Sequence, residues 1–277
     1  MKKVFLVLFL GLIIFAQGAQ RGALAVPFVD PNKTKMTIAV SNINIGEITK
    51  VIGGNKVEIF VIVSAVLQPD IVEITPEIVK KVEDSNLILS AANEKWVNKL
   101  KAEAGTRGKI YKILKTEGDW MIPHIHIRAA EEIKNILCLL DEENTAFYEE
   151  NYLKYAYETD FAASAVKKEL AEAYGVKIIA NSQVKDFLAS YGFEVIGFYD
   201  KPQDLTQKRF AYLEQEGKKH KVKIVVDNLQ ISASTGVDLA KKLGAKHIAI
   251  SGTILGKSYV NTLKENASRI KKALDGR

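Results

Sequence analysis

The chain has 277 residues, 47% of them apolar and 26% charged, a balance that excludes a disordered polypeptide and suffices for one large core or two medium ones. Its formal charge of +6 invites a nucleic-acid partner, but Lys2, Lys3 and Arg21 lie in the first 25 residues, which hold no acid, and beyond them 36 basic residues face 33 acidic ones. Those basic residues are spread along amphipathic segments, with only short clusters such as Gly217-Lys218-Lys219-His220-Lys221 and no aromatic interleaving, so nucleic acid is set aside.

Residues 1–25 read as a cleavable signal peptide. Lys2-Lys3 precedes an apolar run from Val4 to Ala16, too short to span a bilayer comfortably, and Ala23-Leu24-Ala25 fits the small-x-small cleavage rule with Val26 as the new N-terminus. Ala16-Gln17-Gly18 is an earlier candidate, and an uncleaved anchor is the alternative. The single cysteine, Cys138, is far downstream, so the mature protein is expected to be periplasmic or otherwise extracytoplasmic and free of a lipid anchor. Ile136, Leu137, Leu139 and Leu140 around it suggest a buried thiol on a helix.

A first β/α lobe is expected over residues 36–140. Lys35 to Val40 reads as a buried strand, Ile43 to Ile52 as a helix, and Gly53-Gly54-Asn55 as a turn into a strand from Val57 to Val66. Thr75 caps the next helix with Pro76 at its first position, and Leu87 to Ser90, Trp96 to Ala104 and Lys109 to Leu114 continue as strand, helix and strand. From Ala129 to Gly175 the pattern is helical, broken once near Asp141-Glu142-Glu143. Thr145 to Tyr174 contains no Gly or Pro, and a helix over 144–174 of about 45 Å would run the length of two lobes as a rigid connector, with a coiled-coil dimerisation helix as the alternative. A second β/α lobe fills 175–277, with strands at Val176 to Ala180, Phe193 to Gly197, Val222 to Val226 and His247 to Ile250. The expected fold is therefore α/β: two lobes of parallel four-stranded sheets flanked by helices, joined by one long helix.

Four separated segments carry a resemblance. Pro69-Asp70-Ile71-Val72-Glu73-Ile74-Thr75-Pro76, Ile122-Pro123-His124-Ile125-His126, Tyr191-Gly192-Phe193-Glu194-Val195-Ile196-Gly197 and Gly244-Ala245-Lys246 with Ser258-Tyr259 resemble, in order and spacing, the periplasmic zinc and manganese solute-binding proteins of metal ABC transporters. The resemblance covers about residues 36–275. It implies a metal held between the lobes by four ligands, at positions that here are Asp70, His124, Asn181 and Ser251. Only His124 keeps the family's residue type; Asp70 stands for a His, Asn181 for a His or Glu, and Ser251 for an Asp.

That set offers one carboxylate, one imidazole, an amide oxygen and a hydroxyl, which suits zinc poorly and manganese or another hard cation somewhat better. His126, Glu73 or Asp227 would be the substitutes. His124 and His126 in an extended segment would share a face about 6.5 Å apart, awkward for one ion, so His126 is read as a satisfied structural histidine. His124 is placed in a loop between the lobes, and His220 and His247 are assigned to structure. No phosphate-cradling, dinucleotide or nucleophile-elbow motif is present, and no enzyme is expected. The resemblance thus implies a monomeric receptor delivering zinc or manganese to an ABC permease. The alternative is a receptor of the same fold that has lost its metal and takes a small organic or anionic solute, or acts as a surface interaction or adhesion protein.

Overall fold

Apolar runs of five to seven residues, bounded by turns and separated by helices, become parallel strands buried on both faces. The computed structural model describes residues 35–63, 73–92, 94, 96–104, 110–254 and 256–275; the expected signal peptide and Asp70 lie outside them. In the first lobe, β1 (Met36–Asn42), α1 (Ile43–Gly53), β2 (Val57–Val63), α2 (Pro76–Glu83), β3 (Leu87–Ala91), α3 (Trp96–Glu103) and β4 (Ile110–Leu114) alternate, and the all-parallel sheet runs β2-β1-β3-β4. Two long helices follow, α4 (Pro123–Leu140) and α5 (Thr145–Glu169). The second lobe is built from β5 (Lys177–Asn181), α6 (Ser182–Ser190), β6 (Glu194–Tyr199), α7 (Gln207–His220), β7 (Ile224–Asn228), α8 (Val237–Leu243), β8 (Lys246–Ile250) and α9 (Tyr259–Asp275). Its parallel sheet runs β6-β5-β7-β8, the same order of first, second, third and fourth strand as in the first lobe. No internal repeat announces this in the sequence, because the shared feature is the alternation of elements and not their residues.

Local chemistry starts the helices where expected. Thr75 accepts from the Ile78 N–H, with Pro76 beside it at the first helical position, and Asn42 caps α1 by accepting from the Asn44 and Ile45 N–H groups. Two expectations are corrected. α4 begins at Pro123, not at Ala129, because Pro123 occupies the first position of that helix just as Pro76 does in α2. α5 is 25 residues and about 37 Å long, shorter than the 144–174 expected; it gives way at Leu170 to a one-turn 3-10 helix, Ala171–Ala173.

Each sheet has apolar side chains packed on both faces, and α5 belongs to both lobes. Tyr148 and Tyr155 from its first half join the core of the first sheet with Ile45, Ile48, Ala129 and Ile133. Ala162 and Val166 from its second half, with Leu170 just past its end, join the core of the second sheet with Ile178, Val226 and Leu263. Met121, Ile122 and Ile125, at the start of α4, also lie in the second core, so two segments stitch the lobes together. Burial at roughly 25 cal/mol per Å² makes these shared side chains a source of cohesion between the lobes.

Candidate functional site

The C-terminal ends of the strands of both sheets meet across the seam. Asn44, just past β1, accepts from the Thr253 hydroxyl at 2.9 Å and from the Ile254 N–H at 3.3 Å, past β8. Ligands of open α/β sheets bind at such carboxyl ends, so this is where a solute belongs.

His124 sits in the first turn of α4, not in a loop, and it is exposed. His126 is two residues on, about 200° around the helix, and its side chain is fully buried. An extended segment would have placed the two rings on one face; the helix places them on different ones. Asn181, at the end of β5, is buried and caps α6: its Oδ1 accepts from the Gln183 N–H at 3.0 Å, and its amide donates to the Asp200 carbonyl at 2.5 Å. That second bond turns it toward the end of β6, away from β8. Ser251, past β8, is clamped through its backbone, its N–H donating to Asn266 Oδ1 at 2.9 Å and its carbonyl accepting from the Asn266 amide at 2.8 Å. β5 and β8 flank β7, so the two positions stand two strand spacings apart, about 10 Å, at the same end of the sheet.

Between them the wall is amide and hydroxyl. Asn228 Oδ1 accepts from the Gln230 N–H at 2.7 Å, and Gln230 Oε1 accepts from the Gly252 N–H at 2.8 Å. A Cβ at Gly252 would lie 2.5 Å from the Asn228 amide nitrogen, so glycine is what lets this loop close on the end of β7. On the first lobe, Glu94 accepts from the Asn42 amide at 3.1 Å and from the Ala91 N–H at 3.0 Å, beside a depression of about 230 Å³ that Ser90, Asn98 and Ile113 also line. Among the described residues, no three His, Cys, Asp or Glu side chains are grouped to hold a metal ion.

Asp227, considered above as a substitute ligand, is corrected: it is fully buried on the other face of the second sheet. There it accepts from the Tyr199 hydroxyl at 2.6 Å, the Gly236 N–H at 2.9 Å and His247 Nε2 at 2.7 Å. Three donors satisfy the carboxylate, and both Asp227 and His247 are spent on holding the 229–236 loop against β7. Glu73 is exposed at the edge of the described residues.

Pattern reading missed the polar centre of the seam. His126 Nδ1 lies 2.9 Å from the Trp120 carbonyl, which only accepts, so Nδ1 carries a proton. Its Nε2 lies 2.7 Å from the Tyr155 hydroxyl, which also reaches Glu47 Oε2 at 2.5 Å. Burial drives the imidazole toward its neutral form, with its pKa lowered to about 3. The Tyr155 hydroxyl donates to Glu47 Oε2, and its oxygen lies against Nε2 at the same time. Burial raises the Glu47 pKa, against weaker lowering by its bonds to Tyr155 and the Tyr259 N–H. The four groups come from α4, α5, α1 and α9.

A family model for "Zinc-uptake complex component A periplasmic" matches residues 38–273. The chain belongs to this family. Members with which it shares sequence include the metal ABC transporter substrate-binding lipoprotein FimA of Streptococcus parasanguinis, 24% identical over 98% of this chain and 96% of the relative. Another is the manganese ABC transporter substrate-binding lipoprotein PsaA of Streptococcus mitis, 25% identical over 87% of this chain and 89% of the relative. In fold it is similar to the Mn-bound periplasmic metal binding protein of Candidatus Liberibacter asiaticus, with a TM-score of 0.76 at 18% identity over 87% of this chain and 100% of that one. It is likewise similar to Zn(II)-bound AdcA of Streptococcus pneumoniae, with a TM-score of 0.71 at 20% identity over 87% of this chain and 58% of that one. The two-lobe fold expected from the motifs is therefore the fold of the family.

The His126 ring also stacks on Tyr259 while its nitrogens serve Trp120 and Tyr155. Glu47 and Tyr155, 108 residues apart, had no sequence signal linking them.

Proposed function

We propose that this protein is an extracytoplasmic receptor that captures a divalent metal ion, zinc or manganese, at the seam between its lobes and passes it to the membrane permease of an ABC importer, without catalysis. Family membership over residues 38–273 carries the reading, and relatives named for manganese and for metal ABC transport support it. The proposed donors are Asp70 and His124 from the first lobe, with Asn181 and Ser251 adding neutral oxygens from the second. One carboxylate supplies little charge to offset the dehydration of a cation, so affinity rests mainly on His124 and Asp70.

Isothermal titration of chelator-stripped protein with zinc and with manganese tests this. We expect submicromolar one-to-one binding of one of the two ions and at least tenfold weakening in His124→Ala, about 1.4 kcal/mol. Zinc binding should strengthen in the double variant Asp70→His with Ser251→Asp, which restores the family's donor types. Absence of heat with both ions would overturn the proposal and leave the alternative of a small organic or anionic solute.

Export is proposed to remove residues 1–25. The relatives are named lipoproteins, whereas the single cysteine of this sequence, Cys138, lies in α4, half-buried, with its thiol directed at the Thr145 carbonyl. We therefore propose an untethered mature protein. Intact-mass spectrometry of the exported chain should find Val26 or a near neighbour at its N-terminus and no lipid adduct.

A further inference from the structure

An amide side chain has an acceptor at one end and donors at the other, and a backbone N–H can face only the acceptor. At the carboxyl end of the second sheet this rule orients two amides. Asn228 Oδ1 faces the Gln230 N–H at 2.7 Å and Gln230 Oε1 faces the Gly252 N–H at 2.8 Å, so both NH2 groups are turned the other way. No hydrogen bond from either is found among the described residues. Gln230 Nε2 is shut off from solvent without a partner, and so is the Ser182 hydroxyl in the first turn of α6. Asn228 is 3% exposed, and Gly252 leaves its amide nitrogen uncovered on one side: a Cβ on Gly252 would lie 2.5 Å from that nitrogen and 3.4 Å from the Gln183 carbonyl. All three groups thus lie around Gly252, whose neighbour Thr253 bonds to Asn44 of the first lobe. The acceptors there are occupied, and donors are left over.

A bare cation cannot use these groups, because an amide NH2 offers hydrogens and no free lone pair. The proposed metal site has the opposite deficit, since its lobe-two donors Asn181 and Ser251 are neutral and a single carboxylate offsets little of a divalent charge. The two deficits lie side by side: Asn228 ends β7, which runs between β5 with Asn181 and β8 with Ser251. We propose that the receptor takes its metal together with a small oxyanion, a carboxylate or carbonate, which gives one oxygen to the metal and accepts with the others from Gln230 Nε2, Asn228 Nδ2 and the Ser182 hydroxyl. This rests on the metal-receptor reading above and adds the form of the cargo. The anion supplies negative charge to the ion and acceptors to the wall at once. A monatomic halide has no separate oxygens with which to bridge them. By linkage, the anion tightens the metal by the same factor as the metal tightens the anion.

Isothermal titration of chelator-stripped protein with manganese and with zinc tests this, in carbonate-free chloride buffer and then with acetate or bicarbonate at the same ionic strength. We expect the Kd for the metal to fall at least about tenfold in one oxyanion medium, and the medium that does so tells carboxylate from carbonate. Gln230→Glu keeps the oxygen that accepts from the Gly252 N–H and turns the free donor into an acceptor. It should reduce the anion's effect to less than about twofold, while its added carboxylate tightens the metal in chloride. Ser182→Ala removes a hydroxyl that bonds to nothing else in the fold and should cut the effect at least about threefold. Unchanged thermal melts show that the variants are folded. Equal affinity in all three media overturns the proposal and leaves the metal receptor standing. An anion effect that survives either substitution at full size does the same. No binding of either ion in any medium overturns both readings.

Discussion

The His126 imidazole lies nearly flat on the Tyr259 ring, with centroids 3.7 Å apart and planes 17° from parallel, and this stack joins α4 to α9 at the seam. The Tyr259 hydroxyl continues across the seam by donating to the Met121 carbonyl at 2.8 Å. Tyr155 closes the same group by contacting both His126 and Glu47. Replacing Tyr155 by Phe removes the hydroxyl alone and takes away the partner of His126 Nε2 and of Glu47 Oε2. We expect a loss of about 2–4 kcal/mol in urea unfolding, against less than about 0.5 kcal/mol for Tyr157→Phe on the exposed face of the same helix. Equal effects of the two changes would show that the buried chain of bonds contributes nothing.

One buried and two half-buried groups at or near the seam give stability two opposed dependences on pH. The His126 pKa, lowered by burial to about 3, means that the unfolded chain takes up a proton first, so stability is lost as pH falls from 6.5 toward 3. The Asp119 carboxyl is pushed up to about 6, mainly by burial, so the folded state holds its proton longer and stability is lost as pH rises from 3.8 through 6. Glu47, also raised by burial, adds to this second loss. Urea midpoints of Asp119→Asn, measured from about pH 4 to 7, should fall less than those of wild type as pH rises. His126→Phe, which keeps a ring against Tyr259, should show less loss toward the acid end.

The lobe-two positions separate structural from ligand roles. Asn266 clamps both backbone groups of Ser251, so Asn266→Ala should cost about 2–3 kcal/mol, whereas Ser251→Ala should cost less than about 0.5 kcal/mol. Asn181→Ala removes the cap of α6 and should cost about 1 kcal/mol. Titration of these variants with metal, beside their unfolding curves, would reveal a direct ligand as a change in affinity larger than the change in stability.

Solute-induced closure should be small. A helix that buries Tyr148 and Tyr155 in one core and Ala162 and Val166 in the other cannot bend at a hinge without opening one of them. Spin labels on α2 and α7, in separate lobes, should change their mean distance by no more than about 3 Å on adding zinc or manganese. A shift of several times that size would mean that α5 breaks in solution.

The sequence by itself determined what local chemistry and periodicity specify. Alternating apolar runs and amphipathic segments gave two parallel sheets, Thr75 and Pro76 gave the start of α2, and the absence of Gly and Pro from 145 to 174 gave a long helix shared by two lobes. The four motif segments gave the family. What only the tertiary structure decided was the direction and commitment of individual side chains. Pro123 starts a helix, and the helix turns His126 inward and leaves His124 outside; Asn181 spends its amide on Asp200 and Gln183; Asp227 goes to His247. Partners such as Tyr155 and Glu47, 108 residues apart, meet only after both lobes have formed. Periodicity specifies which face of an element is buried, but a polar group's role depends on which donors and acceptors the rest of the fold brings within about 3 Å of it.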